Sequence, residues 1–166
     1  LVQIHKKEIR LIEYLEGSGE SLQHWIQKLK AKPYSYGKWI APHDIMVHEL
    51  TSGQTRQQTA RQFGVNFLPA KKMQIIPGID ACRNMFARCW FDEDKCAAGL
   101  KALDNYKKDW DDRNACWRSQ PLHNWASHGG DAFRTLATGL HILEAPQVSN
   151  SHNPAQWMSN KYSVGR

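Results

Sequence analysis

Trp39-Ile40-Ala41-Pro42-His43-Asp44 reads as a short strand of buried type, stopped by a proline and followed at once by an acid. Upstream, Gly17-Ser18-Gly19 breaks the chain. Leu22, Trp25, Ile26 and Leu29 then recur at helical spacing, which predicts an amphipathic helix over residues 20–31. Downstream, residues 55–63 are expected to be helical, with Gly64 placed to end that helix, and Val65-Asn66-Phe67-Leu68 reads as a strand closed by Pro69. Strands alternating with helices on both sides of residue 40 argue for an α/β layered domain.

The same alternation continues outward. Residues 1–4 and 8–15 are apolar stretches on either side of His5-Lys6-Lys7 and read as two strands joined by a turn. Residues 76–87 read as a helix opened by Pro77, and Cys89-Trp90-Phe91 as a very short strand. A longer helix is expected over 92–108, with Asp92, Glu93 and Asp94 in its first turn, where the dipole favours acids. Residues 109–125 are polar and Trp-rich and read as a loop or hairpin. Helical spacing resumes over 127–141 along Phe133, Leu136, Ala137 and Leu140. From about Glu144, Pro, Ser, Asn and Gln dominate. The expected organisation is therefore one domain over 1–143 and an extended or mobile tail over 144–166.

The 166 residues are 41% hydrophobic and 23% charged, which suits one globular domain and excludes collagen-like, coiled-coil and fully disordered classes. No apolar run approaches the roughly 18 to 20 residues of a membrane span, and no secretory signal pattern is present, so a membrane protein is not expected. The formal net charge is +6, distributed as 11 Lys+Arg against 6 Asp+Glu in residues 1–72 and 11 against 10 beyond. A basic front half beside an Asp-rich back half suits a protein that holds a polyanion and a metal ion. Cys82, Cys89, Cys96 and Cys116 form no C-x-x-C pair, so reduced cysteines serving as small core residues are expected rather than a zinc site. The phosphate-loop pattern G-x-x-x-x-G-K-[ST] occurs nowhere, so no nucleotide site of that type is expected.

Two acids stand out by position. Asp44 sits at the carboxyl end of a strand, where α/β sheets commonly place ligands; position alone favours a plain capping role in the turn or helix after Pro42. Asp131 follows Ser127-His128-Gly129-Gly130 at the start of the last helix, on a side roughly opposite the apolar stripe and three residues from His128. It is either an acid favoured by the helix dipole or a carboxylate brought to a site shared with Asp44. Residue types and spacing leave both readings open. Arg56, Arg61, Lys71 and Lys72 are candidate phosphate contacts. Trp110 and Trp117 could stack on bases or pack on the domain.

Pro33-Tyr34-x-Tyr36-Gly37, Ala41-Pro42-His43-Asp44-Ile45, Arg88-Cys89-Trp90-Phe91-Asp92 and the run from Pro121 through His123-Asn124-Trp125-Ala126-Ser127-His128-Gly129-Gly130-Asp131 to Arg134 occur in that order. Together, over about residues 8–141, they resemble the C-terminal nuclease domain of the large terminase subunit of tailed bacteriophages. The resemblance implies a ribonuclease H-like fold with a mixed central β-sheet flanked by helices. It implies a metal-dependent endonuclease that cuts concatemeric double-stranded DNA at the start and end of genome packaging, in the cytoplasm of the bacterial host. Asp44 matches the acid after the central strand and Asp131 the acid in the last helix, as ligands for Mg²⁺ or Mn²⁺, two ions in the complete domain. His128 lies beside the second acid and is expected to orient a water or ligand. The family's ATPase domain, small terminase subunit and portal are the implied partners. The family's first acid lies on a strand upstream of the hairpin within which Leu1 begins, so the resemblance makes these residues a fragment of the domain. Asn124 stands where relatives commonly carry a His-Asp pair. A non-catalytic DNA-binding or docking remnant of the same domain is the rival expectation.

Overall fold

The computed structural model describes residues 1–50 and 52–145. The expected tail falls, from residue 146 on, outside the described residues. The class is mixed α/β, with five helices and seven strands among the described residues.

Among the described residues the strands do not form one continuous central sheet. β1 (Val2–His5) pairs antiparallel with β2 (Glu8–Leu11), and β2 pairs parallel with β5 (Cys89–Phe91). β3 (Trp39–Ala41) pairs parallel with β4 (Phe67–Pro69) in a separate sheet, and β6 (Lys108–Asp111) with β7 (Cys116–Pro121) forms an antiparallel hairpin. The expected single mixed sheet is thus divided: the mixed part is β1-β2-β5, and β3-β4 stands apart from it.

Local chemistry accounts for most of the element boundaries. α1 (Leu22–Lys30) starts where the Ser21 side chain accepts from the His24 N–H at 3.1 Å. α2 (Arg56–Gln62) starts with a capping box between Thr55 and Gln58, and it ends at Gly64 with φ +72°. α3 (Ile75–Phe86) admits Pro77 because the prolines of a first turn forgo no helical hydrogen bond. Pro69 does not close β4 from outside but is its last residue, opposite Ala41, as an edge strand allows. α4 (Ala97–Asn105) is shorter than expected. Asp92, Glu93 and Asp94 lie before it in a turn, where the Asp92 side chain accepts from the Lys95 N–H at 2.9 Å, so they do not occupy the helix's first turn.

Two apolar clusters hold the layers together. Ile9, Leu11, Cys82, Met85, Cys96 and Phe133 pack between β2-β5 and the helices α3, α4 and α5 (Ser127–Glu144). Ile26, Ala60 and Val65, with Trp39 and Phe67, join α1 and α2 to β3-β4. α5 spans both parts of the molecule. At Gly130 a Cβ would lie 2.7 Å from the Tyr106 ring, and at Gly139 2.8 Å from the Ile40 side chain, so the glycines let α5 approach the β6-side chain segment and β3 closely. Cys116 is exposed on the hairpin, contrary to the expectation of four core cysteines. Trp110 and Trp117 face each other across the hairpin at 5.0 Å, both exposed, and pack on one another rather than on the domain.

Candidate active site

β3 delivers the chain to Pro42, whose extended backbone turns it into a 3₁₀ turn over His43–Met46. The Ile45 N–H donates to the Pro42 carbonyl at 3.1 Å, and the buried Ile45 side chain anchors the turn, which leaves Asp44 on the surface. The backbone bond from Ala70 N–H to the Ala41 carbonyl, 2.8 Å, carries Lys71 alongside from the end of β4. α5 supplies the facing wall. Asp131, Arg134, Thr135 and Thr138 fall at i, i+3, i+4 and i+7, one helical face.

These groups line one cleft of about 240 Å³, which brings Asp44 and Asp131 together with Lys71 and Arg134. Asp131 is not in the first turn of α5, because the helix begins at Ser127. The dipole reading therefore loses its geometric basis, as the dipole's effect fades beyond the first turn. What holds Asp131 is Arg134, whose Nη2 donates to Oδ1 at 2.9 Å. The stem of Arg134 lies over Gly78 of α3, where a Cβ would come within 2.7 Å of its Cδ. The Asp131 charge also reaches Tyr106: burial pushes that phenol above its ordinary value, and the neighbouring carboxylate adds to the shift. The Thr135 and Thr138 hydroxyls donate to the carbonyls of Asp131 and Arg134 at 2.9 and 3.0 Å.

The remaining expected residues are distributed differently. His128 is exposed but does not line the cleft; its ring stands edge-on to His123 at 5.9 Å. Arg56 is engaged by Glu49, which with the more distant Asp44 charge holds it firmly protonated. Arg61 donates to the Asn66 side chain at 3.1 Å and does not line the cleft. Lys72 is exposed next to Lys71 but outside the cleft lining. Asn124 shapes the start of α5 by accepting from the Ala126 N–H at 3.0 Å. Arg134 was given no role from sequence, although an arginine three residues after an acid on a helix is a readable pairing signal.

Comparison with protein-family models, with curated proteins and with solved structures returns no match to this chain. The site therefore rests on its own chemistry. Among the described residues no cluster of three or more His, Cys, Asp or Glu is disposed to hold a metal ion. The cleft offers two carboxylates and threonine hydroxyls as an oxygen set, with His43 and Met73 also in its lining. That set suits Mg²⁺ or Mn²⁺, since Mg²⁺ keeps several waters and is commonly bound by one or two carboxylates plus a substrate phosphate. Among the described residues no helix is long and apolar enough to cross a membrane.

Proposed function

We propose that the chain is a ribonuclease H-like nuclease domain of the tailed-phage terminase type, a metal-dependent endonuclease acting on the double-stranded DNA concatemer during genome packaging. The observation that carries the proposal is that Asp44, at the carboxyl end of β3, and Asp131, in the second turn of α5, line the same cleft although they come from distant parts of the chain. In this reading the two carboxylates hold Mg²⁺ or Mn²⁺, with water and a DNA phosphate completing the ion's oxygen shell. When bound, the ion supplies Lewis-acid stabilisation of the phosphoryl oxygens and a more acidic water. Lys71, on the lip of the cleft, draws the phosphodiester in by charge. Arg134 pairs with Asp131 until the cation competes for that carboxylate. His128 is left outside this set, as its ring points to His123 rather than to the cleft. The ATPase domain, the small terminase subunit and the portal are the partners this reading assigns, and the host cytoplasm its place of action.

Nicking of supercoiled plasmid tests the proposal. The chain is expected to convert supercoiled DNA to open circles with Mn²⁺, not with EDTA, and Asp44→Asn is expected to lose that conversion while keeping its fold. Salt-sensitive DNA binding with no metal-dependent nicking would instead favour a binding or docking remnant of the domain. Nicking unchanged in Asp44→Asn would remove the assignment of the cleft.

A further inference from the structure

His123 lies on the segment between β7 and α5, and His128 in the first turn of α5. Both are exposed, and their rings stand edge-on with centres 5.9 Å apart. Between them in sequence, Ser127 is only 4% exposed, and its hydroxyl has three partners. The oxygen lies 3.2 Å from the Asn124 backbone nitrogen and 3.3 Å from His123 Nδ1, and it also contacts the Asn124 carbonyl. A hydroxyl has one proton to give and two lone pairs to offer. The carbonyl can only accept, so the proton goes there. The backbone N–H can only donate, which fills one lone pair. The other lone pair is left to accept from His123, which places a proton on Nδ1. In the neutral ring Nε2 then keeps an uncommitted lone pair. A histidine whose second ring nitrogen donates to a fixed oxygen is held as metal-ligating histidines are held.

We propose that His123 Nε2 and a ring nitrogen of His128 form a two-histidine site for a nitrogen-preferring divalent cation of the Zn²⁺ kind, with water in the remaining positions. Zn²⁺ sits about 2.0–2.1 Å from each imidazole nitrogen, so two rings sharing one ion lie roughly 5–6 Å apart, centre to centre. The observed 5.9 Å is within that span. His128 makes no side-chain hydrogen bond among the described residues, so its ring can turn a nitrogen toward the ion with no bond to break. Neither histidine lines the Asp44–Asp131 cleft, and the donor chemistry differs. Imidazole suits Zn²⁺, Cu²⁺ and Ni²⁺, whereas carboxylate and water suit Mg²⁺ and Mn²⁺. The ion ties the segment leaving the hairpin, which the Leu122 N–H fastens to the Lys107 carbonyl at 2.9 Å, to the start of α5, about one turn before Asp131. Binding only the folded chain, it stabilises that chain by mass action. The inference stands on the rings and the Ser127 hydroxyl and is independent of the chemistry assigned to the cleft.

The test uses the whole chain with ¹⁵N-labelled histidine, titrated with Zn²⁺ at mildly alkaline pH, where imidazoles are neutral. Long-range ¹H–¹⁵N correlation reads the protonation of each ring nitrogen. Before metal is added, His123 is expected to carry its proton on Nδ1. Up to one equivalent of Zn²⁺ is expected to shift His123 Nε2 and one His128 nitrogen in parallel. His128→Asn is expected to lose the His123 shift and His123→Asn to lose the His128 shift; both side chains are exposed, so neither change disturbs the core. A metal-free His123 protonated on Nε2 would overturn the proposal. So would Zn²⁺ shifts at only one of the two rings, shifts at neither, or a shift at one ring that persists when the other is replaced.

Discussion

At Asp131 one carboxylate oxygen already accepts a bond from Arg134 at 2.9 Å, and a cation entering the cleft competes with that guanidinium. The pair is partly exposed, so it is worth no more than about 1 kcal/mol. Arg134→Gln is therefore expected to tighten Mn²⁺ binding modestly, by up to about fivefold at low salt, as read by calorimetric titration; weaker binding would show that Arg134 serves mainly to position Asp131. The two acids were legible in the sequence because each stands at a recognisable place, one after a strand and one on the polar side of a helix. Their meeting in one cleft was not legible, because it depends on where α5 crosses β3. The tilt of the crossing is set by contacts such as Gly139 against Ile40, which no local pattern encodes.

Among the elements, helix starts were the most readable feature, since Ser21 and the Thr55–Gln58 pair announce them chemically. The three acids at 92–94 misled for a physical reason: an acidic run suits both a first helical turn and a turn that precedes a helix. Here Asp92 satisfies the Lys95 N–H in the second way. The last helix depends on its glycines for its packing. A Cβ at Gly130 would meet the Tyr106 ring at 2.7–2.9 Å, a large aromatic already held by burial. Gly130→Ala is expected to destabilise the fold by about 1–3 kcal/mol through overpacking. The check is a lower urea midpoint at unchanged slope. An unchanged midpoint would mean that Tyr106 yields freely, and that α5 is not fixed there.

For the molecule as a whole, pairing of strands distant in sequence was the least legible property. Hydrophobic alternation identifies strands but not their partners, so the expected single sheet and the observed division share the same local pattern. The two parts are linked by specific polar contacts as well as by α5. Lys32, just after α1, donates to Glu13, just after β2, at 2.6 Å. Lys32 holds the Glu13 carboxyl below its ordinary value of 4.5, and Glu13 holds the Lys32 ammonium above its ordinary 10.5. A depressed carboxyl contributes stability that is present above 4.5 and lost as pH falls through its folded value; a raised ammonium contributes stability present below 10.5 and lost as pH rises through its folded value. The double variant Glu13→Gln, Lys32→Met is expected to flatten the fall in urea midpoint at both acid and alkaline ends relative to the parent, while parallel curves would show that the pair is not coupled to folding. The central claim is that Asp44 and Asp131 form one cation site. Isothermal titration with Mn²⁺ addresses it most directly. The account predicts that the parent chain binds Mn²⁺ and that Asp44→Asn and Asp131→Asn, each still folded by circular dichroism, lose the same binding event. Binding that survives both substitutions unchanged would contradict it.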